Sequence, residues 1–491
     1  MMDPKTLAYD FDEERIGFGE PETPLAPHTP TRPPLATAGL ALIGVGLLSL
    51  VIQSLGFALV ASWPGFLSAY LLPTIGAILY FCASQKDTTP GIKHDGIFFS
   101  SLLSRGGLGW GAGIAMTAFY VLIYWYPQYL GHHGDAPPNG LVATVDPLSR
   151  ALTGYPAGQW FLYGVLYTLF ILIFGVRMAM KYRHNRYHLI RTASVFFSQF
   201  LLAWFLPNLL VRFQYPYLEF NGVWPLKQDY LWPSKVSHFF DPQYALIGKL
   251  LFVWAIGLVI ATPILTYFYG KRWYCSWVCG CGGLAETLGD PWRQLSDKST
   301  TSWHIERWMI HAVLVLVVVT TGVLWADHQW GWFGEWSGPL KQWYGFYIGA
   351  IFSGIVGVGF YPLLGSRVWC RFGCPQAAIL GIFQRIFSRF RITTNGGQCM
   401  SCGNCSTYCE MGIDVRAYAQ SGENIIRASC VGCGVCAAVC PRGVLRLENG
   451  LPGDRFEGAE NPLGTLLAAL EKPKIYRYES WDNKPLPSKD E

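Results

Sequence analysis

Charge is scarce in this sequence of 491 residues. Asp, Glu, Lys and Arg together make up 14% of it, against roughly 25% in soluble globular proteins. Aromatic residues reach 15%, with 20 tryptophans, and the mean hydropathy is +0.25. Such a composition, with repeated apolar stretches of about 20 residues, is typical of proteins that cross a membrane several times. It therefore disfavours a soluble enzyme of several domains and predicts a polytopic α-helical membrane protein.

Several kinds of chemistry have no motif here. The sequence shows no phosphate-binding loop and no Ser, His and Asp arrangement, so no catalytic residue is assigned. The net charge of +5 comes without a nucleic-acid-binding motif. Residues 1–34 are acidic and rich in proline, and we expect a disordered cytoplasmic tail there, not a signal peptide. A disulfide framework is also disfavoured, because thirteen of the fourteen cysteines lie in short-spaced groups between residues 275 and 440.

Eight apolar segments are long enough to be membrane helices. Loops rich in Lys and Arg, such as residues 181–191, alternate with loops that contain few basic residues. By the positive-inside rule the basic loops are cytoplasmic, and eight spans then place both termini and the C-terminal domain in the cytoplasm. We expect a multi-pass protein of the cytoplasmic (inner) membrane of a bacterium. The predicted spans are 36–60, 64–83, 107–130, 160–180, 192–212, 244–270, 308–326 and 345–365.

Two runs of cysteines near the C-terminus are the most specific signal. Residues 399–409 read CMSCGNCSTYC and residues 430–441 read CVGCGVCAAVCP, so each has the spacing C-x2-C-x2-C-x3-C. Bacterial ferredoxins with two [4Fe–4S] clusters use this run, in which the fourth cysteine binds the other cluster; zinc sites are the alternative. Glu410 replaces the usual proline, which we expect to loosen the turn. The predicted ligands are Cys399, Cys402, Cys405 and Cys440 for cluster 1, and Cys430, Cys433, Cys436 and Cys409 for cluster 2.

A shorter cysteine pattern occurs twice upstream. The stretches YGKRWYCSWVC and LGSRVWCRFGC each follow a predicted span, and each places a glycine and an arginine before two cysteines in the spacing C-x3-C. Four thiolates at one membrane depth favour a third iron–sulfur site that joins the two copies. Separate metal sites such as copper, with Cys281 as a spare ligand, and unligated buried thiols are the alternatives. The predicted ligands of the third site are Cys275, Cys279, Cys370 and Cys374, and the matching flanks are Gly270, Arg272, Gly365 and Arg367.

The order of these motifs resembles the membrane-bound polyferredoxins of the NosR/NapH type and, more distantly, the polyferredoxin that assists cytochrome oxidase assembly. The resemblance covers about residues 244–445. It implies electron transfer at the cytoplasmic membrane, often from quinol towards an extracytoplasmic reductase, or reduction of a metal during enzyme maturation. This sequence departs from the pattern at Gly280, where proline is usual, and at Cys281, which is extra. No large extracytoplasmic flavin-binding domain is seen, so covalent flavin is not implied.

Quinone and haem are the other cofactors to consider. His184 and His188 lie near the predicted cytoplasmic face, where a histidine can accept a proton from quinol. A basic loop that faces lipid headgroups explains both histidines as well. Only His311 is clearly inside a predicted span, so the pair of histidines that a membrane haem requires is not expected.

These motifs divide the chain into five parts. Residues 376–391 place apolar side chains at helical spacing between arginines, and we expect an interfacial helix on the anionic leaflet. The parts are a disordered tail (1–34), an N-terminal membrane domain of about five spans (35–212), a polyferredoxin-type membrane core (213–398), an α+β ferredoxin domain with two [4Fe–4S] clusters (399–447) and a C-terminal tail (448–491).

The sequence thus predicts electron transfer through iron–sulfur clusters. The donor would be the quinone pool or a cytoplasmic carrier, the other partner a respiratory or extracytoplasmic redox protein, and the direction of flow is left open. The first alternative is an assembly factor that reduces or handles copper for a respiratory enzyme, and the second is a redox-sensing membrane protein whose clusters control a partner. Expected partners are membrane lipid, redox proteins and quinol, and not nucleic acid.

Overall fold

The structure, a computed structural model, describes residues 34–57, 59–86, 106–134, 136–395 and 398–449. Within this part of the chain, a bundle of long helices carries a small domain with a two-stranded sheet at its C-terminal end. The tails predicted at 1–34 and 448–491 lie outside the described residues except at their inner ends.

Seven helices in the described residues are long and apolar enough to cross a membrane. They confirm the polytopic helical fold and coincide with the first seven predicted spans. Local sequence sets several helix ends: Asn185 and Ser299 accept hydrogen bonds from backbone N–H groups of the following turn, and Gly331 ends its helix in the left-handed conformation. The helices are α1 (Pro34–Ser54), α2 (Trp63–Lys86), α3 (Gly106–Trp125), α4 (Gln159–Lys181), α5 (Arg186–Arg212), α6 (Ala245–Tyr269) and α7 (Thr300–Trp330).

The eighth predicted span, 345–365, is helical but is not among these seven. Its helix, α8, consists of Ser337–Trp343 continued directly by Tyr344–Gly359, and the second part contains five glycines. Position still indicates that α8 crosses the bundle. Near the end of α7, Trp325 Nε1 donates to the carbonyl oxygen of Leu231 at 2.7 Å, and near the start of α8 the Lys341 ammonium lies 4.8 Å from the neighbouring Trp232 ring.

The chain after α8 returns to the beginning of α7. Arg371 Nε lies 2.7 Å from a carboxylate oxygen of Glu306, which is in the second turn of α7. Because α8 starts beside the end of α7 and the following residues contact its beginning, α8 runs back along the length of α7. The other helices described before residue 375 are short: Pro127–Leu130, Gly140–Ala143, Asp146–Thr153, Gln228–Leu231, Pro233–Phe239, Pro242–Tyr244, Trp273–Trp277, Gly280–Thr287, Asp290–Leu295, Gly334–Trp336, Tyr361–Leu364 and Trp369–Gly373.

The interfacial helix is shorter than predicted. Helix α9 covers Pro375–Phe387, and residues 390 and 391 belong to a strand instead. Small residues on its inner side, among them Ala377 and Ala378, pack into the bundle, while Ile382 and Phe383 are exposed on the outer side. This exposed apolar side fits the expected contact with lipid, which stays a prediction.

The C-terminal domain begins earlier than the predicted boundary at residue 399. Strand β1 (Phe390–Thr394) pairs in antiparallel fashion with β2 (Leu445–Asn449), so that Phe390 faces Asn449 and Thr394 faces Leu445. The five-residue strand β1 carries no cysteine, and the cysteine spacing therefore gave no sign of it. Between the strands lie the short helices Asn404–Thr407, Val415–Gln420 and Val435–Ala438.

The crossing of α8 can be tested with topology reporters. We expect alkaline phosphatase fusions after Trp332 and after Ser388 to report opposite sides of the membrane, because α8 lies between them. Fusions after Gln294 and after Ser388 should report the same side. Gln294 lies in the connection from α6 to α7, and Arg389, next to Ser388, donates its backbone N–H to the carbonyl oxygen of Tyr267 at the end of α6. Equal phosphatase activity of the Trp332 and Ser388 fusions would contradict the crossing.

Candidate functional site

The two predicted ferredoxin ligand sets each surround a cavity of their own. Every set combines three cysteines of one run with the fourth cysteine of the other run, as the crossed arrangement requires. The structure therefore brings these thiols together, and their ligation of clusters stays a prediction. The cavity of set 1 is lined by Cys399, Cys402, Cys405 and Cys440, and that of set 2 by Cys409, Cys430, Cys433 and Cys436.

Local backbone geometry allows both sets to form. Gly403 and Gly434 precede short helices with φ of 80° and 75°, a left-handed conformation that favours glycine. The backbone N–H of Ile413 donates to the Cys409 sulfur at 3.4 Å. Buried thiols with backbone donors at the sulfur suit thiolate ligands of a cluster.

The two ferredoxin sets differ in their distance from solvent. In set 1, Cys402 is exposed, and the neighbouring Met400 is 58% exposed. Set 2 lies against the helical bundle, because the loop that carries it is bonded to the first copy of the repeat and to α5. Ser276 Oγ donates to the carbonyl oxygen of Val431 at 3.1 Å, and the Tyr187 hydroxyl donates to that of Gly432 at 2.8 Å.

The four repeat cysteines, here set 3, lie together between the two copies. Set 3 is Cys275, Cys279, Cys370 and Cys374, and each of these residues is between 3% and 5% exposed. The copies exchange arginines: Arg272 Nη1 donates to the carbonyl oxygen of Cys370 at 2.8 Å, and Arg367 Nη1 donates to that of Cys275 at 3.2 Å. Burial, together with the nearby Cys370 thiol, raises the pKa of Cys275 to about 12.

The repeated glycine has a conformational reason. Gly270 and Gly365 have φ of 106° and 89°, which side chains rarely adopt. Neither position has room for a side chain, since a Cβ on Gly270 would lie 2.3 Å from Phe390 and a Cβ on Gly365 would lie 2.7 Å from the Ser296 nitrogen. Both turns therefore bring the chain from a membrane helix into close contact with another segment.

The two copies differ seven residues after their second cysteine, where the first has Glu286 and the second has Gly381. Glu286 Oε2 lies 3.3 Å from Arg367 Nη2. At the equivalent place, a Cβ on Gly381 would lie 3.1 Å from the carbonyl oxygen of Ala428. Arg272 Nε donates to that same oxygen at 2.8 Å. Gly381 thus leaves room for the C-terminal domain to bond Arg272, which has no carboxylate partner among the described residues.

The sequence led us to expect that Glu410 loosens the turn after Cys409, and the structure shows a different role. It is fully buried, and its carboxylate lies 3.0 Å from Arg367 Nη2 and 3.3 Å from Arg293 Nη1. Its carbonyl oxygen accepts from Ser296 Oγ at 2.6 Å. Burial acts to raise the pKa of Glu410, but the two arginine charges outweigh it and the pKa is lowered. The residue therefore fixes the C-terminal domain to the bundle.

Sequence reasoning missed most of the buried charges around these sites. Glu286, Arg293 and Arg191 are at most 4% exposed, although none belongs to a cysteine motif. A weak signal exists for Glu286, which is the only charged residue in the otherwise small and apolar stretch GCGGLAETLG.

Cys281 is half-buried beside set 3 and shares a hydrogen bond with Cys279. This bond lowers the pKa of the Cys281 thiol to about 7 and raises that of Cys279. The side chain faces a tyrosine-rich cavity that also reaches Cys370. The cavity is lined by Tyr120, Tyr124, Tyr163, Tyr167, Cys281, Ser353, Gly354, Gly357, Val358, Tyr361, Ser366, Trp369 and Cys370.

The histidines that the structure describes do not converge as ligands of one metal ion. His188 is fully buried, with its ring stacked 4.6 Å from that of Tyr182 and its Nδ1 3.1 Å from Arg191 Nη2. The view of His188 as a lipid-facing residue is therefore wrong. His184 and His311 are exposed, and the role of any histidine at a quinone stays a prediction.

No three or more His, Cys, Asp or Glu side chains among the described residues converge as ligands of one metal ion. The thiolates of a [4Fe–4S] cluster each bind a different iron. They can therefore surround a cluster without converging on one point, as in the cavities of sets 1 and 2.

Comparison with known proteins agrees with these sites. Residues 398–445 match the family described as a 4Fe-4S dicluster domain. Residues 250–298 and 345–393 each match the family described as a 4Fe-4S binding domain. The two successive matches confirm the internal repeat, with one C-x3-C pair in each copy. The chain thus carries 4Fe-4S ferredoxin-type domains.

Curated relatives are similar over part of the chain. The Escherichia coli protein YccM, which is named for electron transport, is 24% identical over 35% of this chain and 51% of its own length. The methylamine utilization ferredoxin-type protein MauN is 26% identical over 38% of this chain in Paracoccus denitrificans and over 31% in Methylobacillus flagellatus. The chain spans between 51% and 66% of these relatives. No solved structure matches the chain.

The attachment of the C-terminal domain can be tested at Glu306. Its carboxylate lies 2.7 Å from Arg371 Nε and 3.9 Å from Arg427 Nη2, all three side chains being largely buried. Glu306→Gln would leave two cations without their counter-charge, so we expect a loss of about 3–5 kcal/mol in the free energy of unfolding. Glu219→Gln is the control, since the Lys227–Glu219 pair is more exposed and should lose less than about 1 kcal/mol. Equal thermal shifts in detergent would contradict this account.

Proposed function

We propose that the chain is a membrane polyferredoxin of the NosR/NapH type that moves electrons singly between a carrier on the side of the C-terminal domain and a redox partner in or across the membrane. Iron–sulfur clusters, when bound, each accept and release one electron. The observation that carries the proposal is the order of the cysteine sets. Set 1 is at the surface, set 2 lies against the bundle, and set 3 lies between the two repeat copies at the ends of membrane helices.

Buried positive charge supports an iron–sulfur site at set 3. Lys271 and Arg272 are each 2% exposed, and they donate to the carbonyl oxygens of Ile425, Ala428 and Cys370. Within the described residues, neither side chain forms an ion pair with a carboxylate. Buried unpaired charges are costly, and a site of four thiolates supplies negative charge beside Arg272, which donates to the carbonyl oxygen of Cys370. Lys271 lies beside set 2 instead, since a Cβ on Gly432 would be 3.4 Å from its Cβ. Neutral, unligated thiols would not supply negative charge.

Charge distribution supports an orientation with set 3 and the C-terminal domain in the cytoplasm. The basic loops, which the positive-inside rule places in the cytoplasm, include Lys271 and Arg272 of the first copy and Arg367 and Arg371 of the second. We propose the cytoplasmic membrane of a bacterium as the location. Quinol is one candidate electron donor or acceptor in the bilayer, and membrane lipid contacts the exposed side of α9.

Iron content tests this function against the copper-handling alternative. With all three sets loaded, anaerobically purified protein should contain about twelve irons, and the Cys275→Ser/Cys370→Ser variant about eight. Iron and acid-labile sulfide are measured together with copper. Cys281→Ser is the matched control and should keep the wild-type count, because Cys281 is not a member of set 3.

About eight irons in both proteins, with copper that disappears in the variant, would favour metal handling over electron transfer. Failure of reduced quinol analogues and of low-potential carriers to change the oxidation state of the bound clusters would also contradict the proposal.

Set 1 offers the surface at which a soluble carrier would exchange electrons. Arg416 and Arg442 line its cavity, and none of the lining residues that the structure describes is acidic. We therefore expect an acidic carrier, such as a flavodoxin-like or ferredoxin-like protein, to approach here. Arg416→Glu/Arg442→Glu should slow reduction by such a carrier about tenfold or more at low salt, and less at high salt. Stopped-flow absorbance measures the rate.

The control for this experiment is Arg385→Glu, which reverses an exposed charge on α9 instead. It should slow reduction much less than the double variant does, because Arg385 is not among the residues that line the cavity of set 1. An equal effect of both changes, or no effect of the double variant at low salt, would argue against entry at set 1.

A further inference from the structure

A compact group of buried charges, here the ion cluster, connects set 2 with set 3. Arg367 Nη2 lies 3.0 Å from Glu410 Oε1 and 3.3 Å from Glu286 Oε2. Arg293 contacts the same two carboxylates, at 3.3 and 3.4 Å. Arg191 pairs with Glu286 as well. None of the five side chains is more than 6% exposed, so solvent screens their charges only weakly.

The ion cluster contacts both cysteine sets. Arg367 Nη1 lies 3.8 Å from the Cys370 sulfur and donates to the carbonyl oxygen of Cys275 at 3.2 Å. Glu410 directly follows Cys409 in the chain and lines the cavity of set 2. A single guanidinium therefore lies between a thiol of set 3 and a carboxylate that belongs to the ferredoxin-type run.

Stability alone does not explain these buried charges. Replacement of a buried ion group by apolar residues of similar volume is often neutral or stabilising. Charges and hydrogen bonds at ligand sulfurs, by contrast, are among the factors that set the reduction potential of an iron–sulfur site. The position of Arg367 at a sulfur and of Glu410 on Arg367 matches this second role.

We propose that Arg367 is a positioning residue that raises the reduction potential of the iron–sulfur group at set 3, and that Glu410 limits this effect by pairing with the guanidinium. Gain of one electron makes the group more negative, so a nearby cation favours the reduced state and a carboxylate on that cation opposes it. No bond to the protein forms or breaks in this step. The inference rests on the proposed function, because it requires such a group at set 3.

This role also accounts for the residue that departs from the ferredoxin pattern. Proline at position 410 has no charge with which to hold Arg367 or Arg293. With glutamate there, the C-terminal domain places a carboxylate beside the membrane site, and the potential of set 3 depends on a residue of that domain.

The test is a redox titration of the full-length protein in detergent, with dithionite as reductant and ferricyanide as oxidant, followed by EPR. In Arg367→Gln, we expect the midpoint potential of set 3 to shift to more negative values. In Glu410→Gln, we expect a shift to more positive values. In the double variant, the Glu410→Gln shift at set 3 should be smaller, since the guanidinium that transmits it is gone. The set 1 signal should not move.

Two controls separate charge from general damage. Asp146→Asn removes another buried carboxylate, whose partners are Arg150 and the backbone of Ala157, and it should leave all potentials unchanged. Arg367→Lys keeps the positive charge and should shift the set 3 potential less than Arg367→Gln does. Iron content is measured for every variant, and Glu410→Gln, which keeps all three arginines, decides the matter if both Arg367 variants lose iron.

The contrary results are distinct. With about twelve irons and a reducible set 3, equal potentials in wild type and Glu410→Gln, or equal shifts in Arg367→Lys and Arg367→Gln, would overturn the inference and leave the proposed function standing. A wild-type count of about eight would instead remove the group at set 3, and the inference would fall with that part of the proposed function.

Discussion

The exchange of two arginines between the repeat copies is the interaction on which the candidate site depends. The guanidinium of each copy donates a hydrogen bond to the carbonyl oxygen of the first cysteine in the other copy. Separation of the copies would leave both buried arginines with unsatisfied donors, which is costly. Set 3 lies between the copies, and set 2 lies beside the first one. The positions of both therefore depend on this pairing.

The repeat is not symmetric, and its asymmetry explains where the C-terminal domain attaches. Arg367 has Glu286 beside it, whereas Arg272 has Gly381, whose lack of a side chain admits the Ala428 carbonyl. One arginine is thus balanced by a carboxylate of the bundle and the other is satisfied by the domain. A glutamate at position 381 would instead bring its Cβ to 3.1 Å from the Ala428 carbonyl oxygen, so the loop before set 2 would have to shift.

Cysteine spacing was enough to predict which thiols of sets 1 and 2 lie together. Three ligands of each set are placed by local backbone geometry within a run, and the fourth follows from the crossed pattern of two-cluster ferredoxins. The C-x3-C pairs and their matching flanks were also enough to predict the repeat, because Gly270 and Gly365 form the same turn in the two copies. The partners of Glu410 could not be predicted, because Arg293 and Arg367 are distant in the chain and meet only after the domain has docked. Strand β1 was missed for a related reason, because its five residues pair with a segment that is distant in the chain and begins at Leu445. The apolar pattern gave the first seven spans, while the glycines of α8 weakened the same signal in the eighth.

The C-terminal domain is held at several places that differ in kind. Strand β1 follows α9 after two residues, so the chain itself limits its movement. The turn at Gly270 has no space for a Cβ because Phe390 fills it, and Glu410 joins two arginines of the bundle. A domain fixed in this way does not need to change its position in order to bring set 2 close to set 3. Within the described residues, Cys402 of set 1 is the exposed cysteine. The proposed exchange with a soluble carrier at set 1 agrees with this difference, because the cysteines of set 2 are buried or half-buried and those of set 3 are all buried.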